Sequence, residues 1–162
     1  MTALLYTSFL LFVAYITAII AVNGGVPTSV SDSFYILNRR KQGLGRLFTL
    51  WCDAVGISVM TVMFELSGGA WFQFMSFFAG TGLCFAGTAP LFKSHEKVIH
   101  YASAAVCAVG AALWTGFMGC YWLLLLIIPA PFVRRGTRMF RTEMALFVIT
   151  YGALFIINLK QI

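Results

Sequence analysis

The sequence predicts an all-α fold of the membrane class, a polytopic helical bundle of about six transmembrane helices with an interfacial helix in the first loop. Three observations predict it. Hydrophobic residues make up 60% of the chain and charged residues only 10%, where a soluble domain carries roughly 25% charged residues to wet its surface. Apolar stretches of the length needed to cross a bilayer follow one another along the 162 residues. Ten of the eleven Lys and Arg residues fall in three short stretches, Arg39 to Arg46, Lys93 to Lys97 and Arg134 to Arg141, and the intervening connections carry none. Basic loops stay on the cytoplasmic side, so this alternation predicts that both termini lie outside the cytoplasm.

The whole chain, 1–162, reads as a single integral membrane domain with spans at about 2–22, 45–66, 70–92, 98–117, 119–133 and 142–159. The first span has no basic residues ahead of it, and Ala18 and Ala21 are spaced wrongly for a small-x-small cleavage site. It is therefore expected to be a helix rather than a leader. The fourth and fifth spans require a sharp turn at Gly116-Phe117-Met118-Gly119, which the two glycines permit. Five spans would put the last basic stretch on the wrong side.

The first loop is the longest connection. Gly24-Gly25-Val26-Pro27 ends the first span, and Thr28 or Ser29 can cap a short helix running to Leu37. Val30, Phe34 and Leu37 share one side of it, with Ser29, Asp32 and Ser33 largely on the other. Such a helix would lie on the inner leaflet, with Arg39, Arg40 and Lys41 gripping anionic headgroups, as Arg134 and Arg135 do in the last basic stretch. The alternative is a re-entrant segment whose hydroxyls and Asp32 line a site. The formal charge of +6, divided among loops that flank apolar spans, fits a bilayer with anionic headgroups and not nucleic acid. Copies of the chain or other membrane subunits are the remaining expected partners.

Asp53 is the first candidate for a functional residue. It lies eight positions into the second span, and an ionised carboxylate in hydrocarbon costs several kcal/mol. Steps of three and four residues place Arg46, Thr49, Asp53, Gly56 and Met60 on one helix face. Ser76, Gly80, Cys84, Gly87 and Thr88 form a matching stripe in the third span, as do His100, Ser103, Cys107, Gly110 and Trp114 in the fourth. Small-residue faces of this kind pack closely. Pro27, Pro90, Pro129 and Pro131 free backbone groups on the same side, so a cavity is expected in the cytoplasmic half, lined by Asp53, Thr88, His100, Ser103 and Glu143. Alternatively, Asp53 merely fixes helix pairing. Glu65, at the opposite end, reads as solvated.

No metal or cofactor is expected. His95 and His100 are five residues apart and diverge by about 140° on a regular helix, so they cannot share a metal as histidines at i and i+4 do. Two histidines also make a poor set of axial haem ligands. Cys52, Cys84 and Cys107 fall at similar depth, roughly 10 to 14 Å from the cytoplasmic ends, yet Cys inside a span is ordinarily a small apolar packing residue. Cys120 lies in a span as well, so disulfides are not expected.

Pro27-Thr28-Ser29-Val30-Ser31-Asp32-Ser33-Phe34-Tyr35, Phe85-Ala86-Gly87-Thr88-Ala89-Pro90 and His100-Tyr101-Ala102-Ser103-Ala104, in that order, resemble small polytopic membrane proteins of gut Bacteroidetes and their phages. That resemblance implies a bacterial inner membrane and carries no activity with it. Over the third and fourth spans the chain is also similar to Frag1-type six-span proteins, in which a Gly-x-x-Pro span end precedes a His that opens the next helix. No functional residue is carried over from either.

Three classes of function remain open. A non-enzymatic membrane component or modulator is favoured by the lack of a complete catalytic constellation. A small oligomeric cation or proton channel or transporter would use Asp53. A membrane-embedded hydrolase or lipid-modifying enzyme would need Ser, His and Asp in contact near the inner leaflet.

Overall fold

The computed structural model describes residues 1–128 and 135–161, with 93, 94 and 135 described by backbone only. Its regular elements are all helical: α1 (Thr2–Asn23), α2 (Ser33–Arg40), α3 (Arg46–Leu66), α4 (Met75–Thr88), α5 (Glu96–Thr115) and α6 (Arg138–Lys160). Short 3-10 turns occupy Trp71–Phe74, Ala89–His95, Tyr121–Ile127 and Arg135–Thr137, and a π turn occupies Gly116–Cys120. Five helical stretches are long and apolar enough to cross a membrane: Thr2–Asn23, Arg46–Leu66, Trp71–Phe92, Glu96–Ile127 and Arg138–Lys160. The molecule is thus a helical bundle of multi-pass membrane character.

The fourth of these stretches is not straight. Gly119 sits at φ 79°, a left-handed conformation that breaks the helix. Before the break, the Trp114 Nε1 donates to Ser67 Oγ (2.8 Å) and Phe117 stacks on Phe72 (5.3 Å between ring centroids). Beyond it, Leu123 lies against Gly152, well inside the length of α6. Of the fifth predicted span, 119–133, the part from Pro129 to Val133 lies outside the described residues, as does Arg134.

Glycine sets how closely the central helices approach. α4 lies between α3 and α5. A Cβ on Gly56 would sit 2.8 Å from the Gly80 carbonyl oxygen and 2.9 Å from Cys84 Sγ, and one on Gly87 would collide with Cys52. On the other face of α4, a Cβ on Gly82 would sit 2.6 Å from the Cys107 nitrogen. The predicted stripes of α3 and α4 therefore meet, whereas the α5 stripe packs on the opposite face of α4, at Ala79 and Gly82, and not around a shared polar centre; the close approach is that expected of helices whose apolar surfaces gain little by leaving lipid. Thr49 Oγ1 adds a hydrogen bond to the Gly87 carbonyl (2.8 Å) across the α3–α4 seam.

α1 and α6 run antiparallel along the other side. Thr2 Oγ1 donates to Asn158 Oδ1 (3.3 Å), and Ser8 Oγ and Tyr151 Oη share a hydrogen bond of 2.7 Å. Between the two layers lies an aromatic core, in which Tyr15 stacks on Trp51 (4.5 Å, 14°) and Phe12 meets Phe147 (4.8 Å) and Tyr151 (5.4 Å).

The described residues of all three basic stretches fall at one end of this bundle, where α1 and α4 finish and α3, α5 and α6 begin. At that end the first loop does not lie free. Gly24 takes φ 73° and closes α1 with a left-handed cap. The Thr28 carbonyl then accepts the Phe140 N–H (3.0 Å), and the Val30 N–H donates to Glu143 Oε2 (2.5 Å). Helix α2 follows, starting later than the capping residues predict, with Asp32 as its first flanking residue. Ser33, expected on the solvated side, is fully buried and receives the Tyr15 hydroxyl (2.8 Å). Ile36 and Leu37 pack on Ile19, which turns the predicted apolar side through roughly one residue.

Candidate functional site

A cavity of about 120 Å³ opens among α3, α4, α5 and α6. Its floor at the basic end is Val30 and Ser31 of the first loop, held there by the Glu143 bond, together with Ala86 and His100. Its walls are largely aromatic and small: Phe48, Trp51, Phe147 and Tyr151 on one side, Ala79, Ala104 and Ala108 on the other. Small residues on α4 and α5 leave the space that the aromatic residues of α3 and α6 do not fill, because the Gly82 and Gly110 contacts fix the backbones of those two helices.

Two of the five predicted lining residues reach this cavity. Glu143 does so from the first turns of α6, half-buried, with one carboxylate oxygen bound to the Val30 N–H. His100 does so from the start of α5, its Nδ1 turned to the Ala86 carbonyl at 3.4 Å. The other three are elsewhere. Asp53 is half-exposed at the edge of the α3–α4 seam, near the Cys84 thiol, and is not part of the cavity wall. The buried face of α3 runs through Phe48, Cys52, Val55 and Val59, and Asp53 follows Cys52 by one residue, which rotates it about 100° off that face. Thr88 Oγ1 bonds to the Phe85 carbonyl of its own helix (3.2 Å). Ser103 Oγ likewise bonds to the carbonyls of Ile99 and His100, and lines a separate shallow groove with Thr81 and Gly82 between α4 and α5.

Sequence reasoning missed the aromatic wall. Phe48, Trp51, Phe147 and Tyr151 sit among apolar neighbours in apolar spans, so nothing in composition separates them from lipid-facing aromatics. Trp51 carries one further feature: its Nε1 is buried and has no hydrogen-bond partner among the described residues. An unpaired buried donor of this kind costs about 1–3 kcal/mol.

Of the predicted headgroup contacts, Arg39 and Lys41 are exposed, while Arg40 donates through Nη2 to the Val22 carbonyl (2.9 Å) at the end of α1. Arg134 and the Arg135 side chain lie outside the described residues. Asn38, which the sequence did not single out, organises the turn into α3, its Oδ1 accepting the N–H groups of Gly43 (3.0 Å) and Gly45 (2.9 Å). All four cysteines are free thiols, and no group of three or more His, Cys, Asp and Glu side chains is placed to hold a metal among the described residues.

Compared with protein-family models, with curated proteins and with solved structures, the chain matches none.

Proposed function

We propose that the chain is a six-span component of a bacterial inner membrane, with both termini outside the cytoplasm, that binds a small molecule and does not catalyse a reaction. Six crossings are supported by the reversal at Gly119, since Glu96–Ile127 contains 32 residues and a straight helix of that length would extend about 48 Å, well past the roughly 30 Å hydrocarbon core. The grouping of the basic stretches at one end of the bundle supports the orientation.

The observation that carries the binding reading is the cavity itself, an apolar and aromatic chamber with two convergent polar groups, Glu143 and His100, at one end. Hydrolysis is less well supported. Ser31 Oγ is bonded to Ser29 Oγ (2.9 Å) and Ser103 Oγ to carbonyls of its own helix, so the hydrogen bonds of these serines are directed away from the imidazole of His100. Transport through Asp53 loses its chamber, because Asp53 lies outside the wall.

The test is a thermal-shift screen of small amphipathic and polar compounds on the protein in nanodiscs, run beside Ala108→Phe, which fills the cavity. Compounds that stabilise the wild type and leave Ala108→Phe unmoved are the expected outcome. If every stabilising compound shifts both proteins equally, or none shifts the wild type, the cavity is not a binding site.

A further inference from the structure

The chemistry of the chamber narrows what it takes, on the footing that the cavity binds a ligand at all. Glu143 accepts one backbone N–H, from Val30, and Asp32 of the first loop lies close enough to add its own negative field. Among the described residues no Lys or Arg lines the cavity to answer those carboxylates. One N–H donor is a poor substitute for water around an ionised carboxylate. The remaining wall offers four aromatic side chains, Phe48, Trp51, Phe147 and Tyr151, and aromatic rings attract organic cations more strongly when both are removed from water. The volume, about 120 Å³, is a little below the roughly 150 Å³ that holds a benzene ring. That admits a compact branched group and not an extended chain.

We propose that this cavity is a site for a small alkylammonium group, with Glu143 supplying the opposing charge and the aromatic wall holding the methyl or methylene groups. The same group occurs in free small amines and in ammonium-bearing lipid headgroups. His100, its Nδ1 turned to the Ala86 carbonyl, shapes the floor of the same cavity.

Choline and its neutral carbon isostere 3,3-dimethylbutan-1-ol differ in the charge and little else. Their binding is measured by Trp fluorescence and thermal shift on the protein in nanodiscs of phosphatidylglycerol, which has no ammonium group. The wild type is expected to bind choline at least about tenfold more tightly than the isostere. Glu143→Gln keeps an acceptor for Val30 and removes the charge, so it should bring choline to within about twofold of the isostere. Phe147→Leu, an independent variant, should weaken choline more than the isostere. Equal binding of the two compounds by the wild type, or unchanged preference in both variants, overturns the cation assignment while leaving the cavity a binding site. Binding of neither compound removes both. Replacing half the lipid with phosphatidylethanolamine separates the sources: a loss of apparent choline affinity assigns the site to a lipid headgroup, and an unchanged affinity to a free amine.

Discussion

A charged residue inside an apolar span draws attention by its cost, yet the cost alone does not say where the side chain points. Asp53 and Glu143 illustrate the difference. Both were legible as polar groups in apolar surroundings, but only Glu143 lines the cavity, because the face a helix buries depends on neighbours that one sequence does not reveal. Asp53→Asn should therefore leave choline binding within about twofold of wild type and move stability by less than about 1 kcal/mol; loss of binding in this variant would return Asp53 to the site. Trp51 was legible only as an aromatic residue. Its unpaired Nε1 leads to an unusual expectation for a core substitution: Trp51→Phe loses packing volume but also removes a donor that nothing satisfies. The two effects oppose each other, at about 1–3 kcal/mol for the donor and a comparable amount for the lost ring. Thermal unfolding should show a change within about 1 kcal/mol, whereas Trp51→Ala, which removes the same donor but nearly all of the side chain's packing, should cost about 3–5 kcal/mol.

Helix pairs follow from glycine spacing more directly than sites follow from charge. The seam between α3 and α4 was readable because Gly56 on α3 and Gly80 and Gly87 on α4 fall in small-residue stripes at helical spacing, and close approach is what such faces allow; the seam between α4 and α5 was only half readable, since Gly110 was in the predicted stripe and Gly82 was not. The partner of each glycine was not readable. Gly87 meets Cys52 and Gly82 meets Cys107, which gives the cysteines a packing role through their small size. Gly87→Ala should cost about 1–3 kcal/mol by forcing α3 and α4 apart, and Cys52→Gly in the same chain should recover part of it by removing the colliding Cβ. A double-mutant cycle of unfolding in mild denaturant would measure the recovery, and strict additivity would show that the two residues do not meet. The α2 register was misjudged for a related reason. Amphipathic spacing was read against a flat membrane surface, whereas Tyr15 and Ile19 of α1 supply the surface that α2 buries.

For the whole molecule, charge distribution was the most legible property and connectivity near Gly119 the least, since Val98 to Val133 is one continuous apolar run in which only two glycines mark a reversal. In a chain with its native cysteines replaced, single cysteines at Gly68 and Gly119 should react with an impermeant thiol reagent from outside, and one at Thr137 only from the cytoplasm. Labelling of Thr137 from outside would overturn the orientation, and protection of Gly119 from outside would argue against the reversal. The pairing of Ser8 with Tyr151 spans 143 positions of the chain, and the Val30 bond to Glu143 spans 113. A ribosome adding about 5–20 residues per second needs roughly 6 to 30 s to supply the second partner after the first. During that interval the early helices sit in the bilayer with their future contact face occupied by lipid or by the insertion machinery. The chamber gains its carboxylate and half of its aromatic wall only when the last helix is delivered, so a nascent chain stalled before that point is inserted with its cavity unformed.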